Sequence, residues 1–119
     1  MSVVVAADTL TMTFDQGTPN FAISPQASSH FLVGDGVATW VDVAGSAGAV
    51  ITFSGLRGDM ENYTGPTPIM SQGPLLLEVL YKGGFEGYVH WAIGLSKPGC
   101  ANVTAAGSTL TFRFIASPA

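Results

Sequence analysis

The sequence predicts an all-β fold, a single-domain β-sandwich or partly closed barrel of about seven or eight short, mostly antiparallel strands. Three observations predict it. Apolar residues recur with a period of two in one stretch after another, the spacing that puts alternate side chains on opposite faces of a strand. Clusters of Gly and Pro interrupt these stretches at short intervals, as hairpin and sandwich turns require. No segment longer than a turn carries a 3.6-residue period, so no amphipathic helix is expected. The chain has 119 residues, with no internal repeat and no low-complexity linker, so residues 1–119 are read as one domain. A chain of this length buries roughly two-thirds of its unfolded surface, which provides a core without staples.

In chain order, residues 3–14 read VVVAADTLTMTF. From Thr9 onward Thr9, Thr11 and Thr13 alternate with Leu10, Met12 and Phe14, giving a strand with one wet and one buried face. Residues 1–7 are expected to be flexible or artificial, being too short and lacking the basic start of a signal peptide. Asp15 to Asn20 is a turn cluster, and Phe21 to Ser24 a short strand stopped by Pro25. Residues 26–36 are mixed and end in the turn Gly34-Asp35-Gly36. Val37 to Val43 then resumes the alternation, with Val37, Thr39, Val41 and Val43 on one face and Ala38, Trp40 and Asp42 on the other. Ala49 to Ser54 is the next strand. Residues 55–74 lose the period and collect Gly and Pro; a connection that long is expected to be functional or to hold a short embedded element. Asn102 to Thr104 is a short strand, and Thr109 to Ile115 closes the chain with Leu110, Phe112 and Phe114 inward. Residues 116–119 are expected to fray.

The most informative stretch is Leu75 to Leu95, LLLEVLYKGGFEGYVHWAIGL. Leu75, Leu77, Val79 and Tyr81 alternate with Leu76, Glu78, Leu80 and Lys82, and both sets are largely apolar, as in a strand covered on both faces. Beyond the turn, Val89, Trp91, Ile93 and Leu95 oppose Tyr88, His90, Ala92 and Gly94. Gly83, Gly84 and Gly87 bracket Phe85 and Glu86, which predicts a hairpin with a bulged five-residue connection.

Charge and cysteine content exclude several classes. Arg57, Lys82, Lys97 and Arg113 are the cations and the formal net charge is −4, so a phosphate-tracking surface and nucleic-acid binding are not expected. Hydrophobic residues make up 47% of the chain, yet no run reaches the roughly 18 apolar residues of a membrane span. Cys100 is the single cysteine, so no intrachain disulfide can form. Two histidines and scattered acids offer no zinc spacing, and neither a phosphate loop nor a dinucleotide fingerprint occurs. No cofactor is expected.

Four motifs stand in order over nearly the whole chain: Asp8 to Ile23 (DTLTMTFDQGTPNFAI), Val41-Asp42-Val43-Ala44-Gly45, Tyr63-Thr64-Gly65-Pro66, and Gly84-Phe85-Glu86-Gly87 with Trp91 and Gly94-Leu95. Together they resemble an AMIN-like domain, a small exported β module known chiefly from actinobacteria. Where the family has an Arg-Pro-Phe-x-Val step after the hairpin, this chain has Lys97-Pro98-Gly99-Cys100-Ala101, and its closing strand is rich in Thr. The resemblance implies a non-enzymatic, exported or envelope-bound module that attaches to the cell wall, with wall glycan or an envelope protein as partner. Composition leans mildly the same way, and a cytoplasmic location stays open.

Glu78, Glu86 and His90 permit an acid-base set on paper, but Glu86 is expected to accept N–H bonds in its own turn and His90 to be a half-buried strand residue. The domain is therefore read as a non-enzyme, with a small hydrolase as a remote alternative. A ligand surface is the better candidate: Trp40, Tyr63 and Tyr88 offer planes for sugar rings, with Asp42, Asn62 and Glu86 to read hydroxyls. Trp91 is expected in the core, in phase with Val89 and Ile93. A structural or self-associating β module is the alternative reading.

Overall fold

The computed structural model describes residues 1–117 except 16, 35–37, 56–62 and 86. Among the described residues, eleven antiparallel strands form three sheets: β1 Ser2–Ala6, β2 Thr9–Thr13, β3 Asn20–Gln26, β4 His30–Val33, β5 Thr39–Asp42, β6 Ala47–Ser54, β7 Ile69–Met70, β8 Leu76–Phe85, β9 Tyr88–Leu95, β10 Gly99–Ala106 and β11 Thr109–Ala116. A four-stranded sheet in the order β1-β2-β11-β10 faces a five-stranded sheet in the order β3-β6-β9-β8-β7, and β4 and β5 pair as a separate hairpin. No helix long and apolar enough to cross a membrane occurs among the described residues.

The all-β expectation holds, with finer division than about seven or eight strands. The strand expected from Thr9 is preceded by another, β1, because the chain reverses at Ala7 and Asp8, where Ala7 takes a φ of 52°. Residues 2–6, expected to be flexible, pair along all of β2, and Val3 and Val5 pack partly against the core. Pro25 does not stop β3, which runs on to Gln26; β3 is an edge strand, where a missing N–H costs no ladder bond on the open side. The long connection holds β7 as its embedded element. β10 spans eight residues where three were expected. At the end expected to fray, Ala116 closes β11 and the Ser117 N–H donates to Pro98 O at 2.9 Å, while 118–119 lie outside the described residues. Val37 also lies outside them, and the strand expected from it begins at Thr39.

The main core lies between the two large sheets. Leu10 and Met12 of β2 and Leu110, Phe112 and Phe114 of β11 meet Ile51 and Phe53 of β6, Leu76 and Val79 of β8, and Val89, Trp91, Ile93 and Leu95 of β9. Phe112 meets Phe53 and Phe21 edge-on across the sandwich, at centroid separations of 6.3 and 5.7 Å. Such pairs favour the edge-to-face geometry because the positive ring edge meets the negative face.

The β8–β9 hairpin has the two-sided burial its sequence predicts, but its phase is set by a bulge. Leu76 pairs with Leu95 and Glu78 with Gly94, so two steps on β8 match one on β9. The extra residue puts Leu76 and Val79 on the same core, where strict alternation would have grouped Leu77 with Val79. Leu77 keeps its carbonyl satisfied by accepting from the Ser71 N–H at 2.9 Å. A second shift, between Tyr81 and Gly84, coincides with Gly83 at φ 90°, and pairing then continues to Phe85 and Tyr88. The connection is thus tighter than five residues, with the bulge inside the strand.

The other face of the five-stranded sheet carries a smaller core. Phe31 and Val33 of β4 and Val41 and Val43 around β5 pack on Val50, Ala92 and Leu80. Two glycines provide the seat. Gly48 and Gly94 are cross-strand partners, so no side chain rises from this row of the sheet between Gln26 and Glu78. A Cβ at Gly48 would meet the Phe31 ring, and one at Gly94 would lie 2.5 Å from Ala44 O and 3.0 Å from Val43 Cβ. Beside them, Glu78 Oε1 accepts from the Ala44 N–H at 2.9 Å and ties the hairpin's exit to β8.

Candidate binding surface

The β4–β5 hairpin sorts its side chains by period. Phe31, Val33 and Val41 turn inward, while His30, Leu32, Trp40 and Asp42 face outward. Register sets their neighbours: His30 is opposite Asp42 and Leu32 opposite Trp40. The His30 ring lies flat on the Trp40 indole, with centroids 4.5 Å apart and planes within 4°. His30 Nδ1 sits 2.6 Å from Asp42 Oδ1. A carboxylate only accepts, so Nδ1 carries the proton and donates, which leaves Nε2 directed elsewhere. The Ser28 Oγ–H donates to His30 O at 2.8 Å, and the Val43 N–H donates to Ser29 O at 2.9 Å, which fixes the strand ends that hold the cluster.

The result is an ordered aromatic platform on an exposed sheet. Trp40 is 59% exposed and Leu32 48%, far from what an indole and an isobutyl group show when folding alone dictates their place. His30 and Asp42 are themselves exposed, so their pair adds only about 0–1 kcal/mol to stability. Its effect is on orientation: the imidazole is clamped between a carboxylate and an indole. Such a cluster can offer an apolar plane, a carboxylate acceptor and an imidazole nitrogen to one ligand. The expectation that Trp40 and Asp42 share an open face is met, and His30 is the member that strand phase alone did not reveal. The segment His30-Phe31-Leu32-Val33 just ahead of the Gly34-Asp35-Gly36 turn was the available signal, since a strand on both sides of such a turn makes a hairpin.

The remaining candidates are not gathered there. Tyr63 is partly buried against the main core, 5.0 Å from Trp91 and 5.5 Å from Tyr81 between ring centroids, and its Oη–H donates to Pro66 O at 2.8 Å. Burial raises its phenol above the ordinary value of 10.0. Trp91 faces the main core, so Tyr63 and Trp40 lie on opposite sides of the five-stranded sheet, and Tyr63 is a packing residue. Tyr88 is 46% exposed at the start of β9, outside the hairpin platform. Asn62 and Glu86 lie outside the described residues. Trp91 is fully buried, as its phase predicts, and among the described residues its Nε1–H meets no acceptor.

Of the acid-base set, the two described members, Glu78 and His90, are not brought together. Glu78 is opposite Gly94, four residues along β9 from His90, which is about 13 Å of strand. Glu78 is engaged with Ala44, and His90 Nδ1 lies 3.0 Å from Thr52 Oγ1. No group of three His, Cys, Asp or Glu side chains suited to a metal ion occurs among the described residues.

Comparison with protein-family models, with curated proteins and with solved structures finds no match to this chain.

Proposed function

We propose that this domain is a non-enzymatic binding or localisation module of the cell envelope, exported in its working state, that recognises wall glycan through the Trp40 platform. The observation that carries the reading is the exposed Trp40 indole, stacked on one side by His30 and flanked by Asp42. A flat apolar ring meets the C–H face of a pyranose, and a carboxylate beside it accepts from hydroxyls, so one ligand unit is held by plane and rim together. The AMIN-like motifs supply the envelope address. An envelope protein is the other partner of the same chemistry, since Trp with a charged neighbour also anchors protein interfaces.

The test is retention on insoluble peptidoglycan and on whole cell wall, with Trp40→Ala and Asp42→Ala variants. Because Trp40 is exposed, its removal is expected to change stability by no more than about 0.5 kcal/mol while abolishing retention. Undiminished retention of the folded Trp40→Ala variant overturns the platform as the glycan site.

A second reading rests on β10. It is an edge strand of eight residues, Gly99–Ala106, with neither charge nor proline to discourage pairing with another strand. Self-association through this edge predicts a size by light scattering that grows with concentration, and a constant monomer mass removes it.

A further inference from the structure

Two of the chain's four cations converge. Lys97, in the turn between β9 and β10, and Arg113 on β11 line one open cleft of about 620 Å³, within the size range of small-molecule sites. Its walls include Pro74, Leu75 and Phe114, and its acidic member is Asp8. Asp8 is committed already: its Oδ1 accepts from the N–H groups of Leu75 and Leu76 at 2.9 and 2.8 Å. Among the described residues that line it, the cleft is therefore cationic, two positive groups against one negative, in a chain whose net charge is −4.

The cleft is also held in shape from several directions. The Phe114 N–H donates to Asp8 O at 2.9 Å, the Ser96 Oγ–H to Pro74 O at 2.7 Å, and the Ser117 N–H to Pro98 O at 2.9 Å. These bonds fix the β1–β2 turn, the approach to β8 and the Lys97 turn against one another before any ligand arrives, which lowers the ordering cost of binding. Lys97 and Arg113 remain exposed, while Leu75 and Phe114 are buried in the core behind the cleft, so the charged groups stand beside an apolar floor made by Pro74, Ile115 and Ala116.

We propose that this cleft binds a monoanionic carboxylate carried on a short apolar body. A guanidinium takes a carboxylate through two parallel N–H bonds, and the ammonium supplies a second donor. One net positive charge is balanced by one negative; a dianion such as phosphate would bring excess negative charge up to Asp8 and leave the apolar floor unused. The site is separate from the Trp40 platform, which lies beyond the opposite face of the five-stranded sheet, and it stands or falls independently of the glycan reading.

The probes are hexanoate, hexanol and inorganic phosphate, each titrated into the intact domain and followed by amide shifts in two-dimensional NMR. Hexanoate is expected to saturate with a dissociation constant on the order of 1 mM and to shift the amides of Leu75, Lys97 and Phe114. Hexanol and phosphate are each expected to bind at least about tenfold more weakly, the first for want of charge and the second for want of an apolar body. Lys97→Gln and Arg113→Gln, both at exposed positions, are expected to keep the melting temperature and each to weaken hexanoate by about fivefold or more. Shifts that do not saturate, hexanol or phosphate binding as tightly as hexanoate, or a folded double variant that still binds hexanoate normally would each overturn the proposal. The comparison of probes on the unaltered chain needs no variant to fold.

Discussion

Replacing Gly94 by Ala tests how the binding hairpin is seated. The new Cβ would lie 2.5 Å from Ala44 O, 3.0 Å from Val43 Cβ and 3.1 Å from Ala44 N. The obstacle is mostly backbone, so no rotamer relieves it and the end of β5 must move away from the sheet. Overpacking of this kind costs about 1–3 kcal/mol. Displacement also stretches the Ala44 N–H bond to the Glu78 carboxylate, 2.9 Å long, a type worth about 1.5–3 kcal/mol when it is lost outright. The stiffer unfolded chain with Ala returns about 0.4–1 kcal/mol. The expected net loss is about 2–4 kcal/mol, read as a fall of roughly 1 M or more in the urea midpoint followed by far-ultraviolet circular dichroism. Gly107→Ala is the comparison: its φ is 59° and nothing lies within 4 Å of the added Cβ, so only backbone strain of about 1–2 kcal/mol applies. Amide exchange separates the two, because Gly94→Ala should strip protection from residues 31–33 and 39–43 while Gly107→Ala should leave it intact. A Gly94→Ala chain within about 0.5 kcal/mol of the parent, or one with full protection over that hairpin, refutes the close backbone seat.

Three further outcomes are expected. Asp8→Ala orphans the Leu75 and Leu76 N–H groups and should cost about 2–4 kcal/mol by urea unfolding, while Asp8→Asn, which keeps an acceptor oxygen, should cost much less. The bulge in β8 predicts that Leu76→Ala loses about 2–5 kcal/mol and Leu77→Ala clearly less, since Leu76 is fully buried and Leu77 is not; equal losses would contradict the register. For Tyr63, burial raises the folded phenol above 10.0, so its contribution to stability is present in full below that pH and is lost as pH climbs through the raised value. An ultraviolet tyrosinate titration should show one late-titrating phenol that disappears in Tyr63→Phe.

The strands were legible wherever one face is dry and the other wet, as in Thr9 to Thr13 and Thr109 to Ile115, because burial there writes itself as strict alternation. Trp91 was placed in the core by the same logic. The register of β8 was not legible: a bulge moves one residue out of phase, and Leu75-Leu76-Leu77 gives no apolar contrast to reveal which of the three is extra. Tyr63 looked like a rim residue because Gly and Pro surround it, yet its ring packs with Trp91 and Tyr81, contacts that arise only once the long connection folds back over the sheet. His30 was hidden for the opposite reason. Its importance comes from a cross-strand partner twelve residues away, and sequence phase within a single strand carries no information about who sits opposite.

The two apolar clusters also divide the molecule by stability. The outer hairpin is held to the sheet by few inward side chains, chiefly Phe31, Val33, Val41 and Val43, each worth roughly 1.5–3 kcal/mol on burial, against an ordering cost of about 1–2 kcal/mol for every backbone residue fixed. These magnitudes make it the part of the molecule expected to open first, ahead of the sandwich beneath. A ligand that grips Trp40 and Asp42 would then act as a clasp, and its binding would register first as slowed exchange in this hairpin.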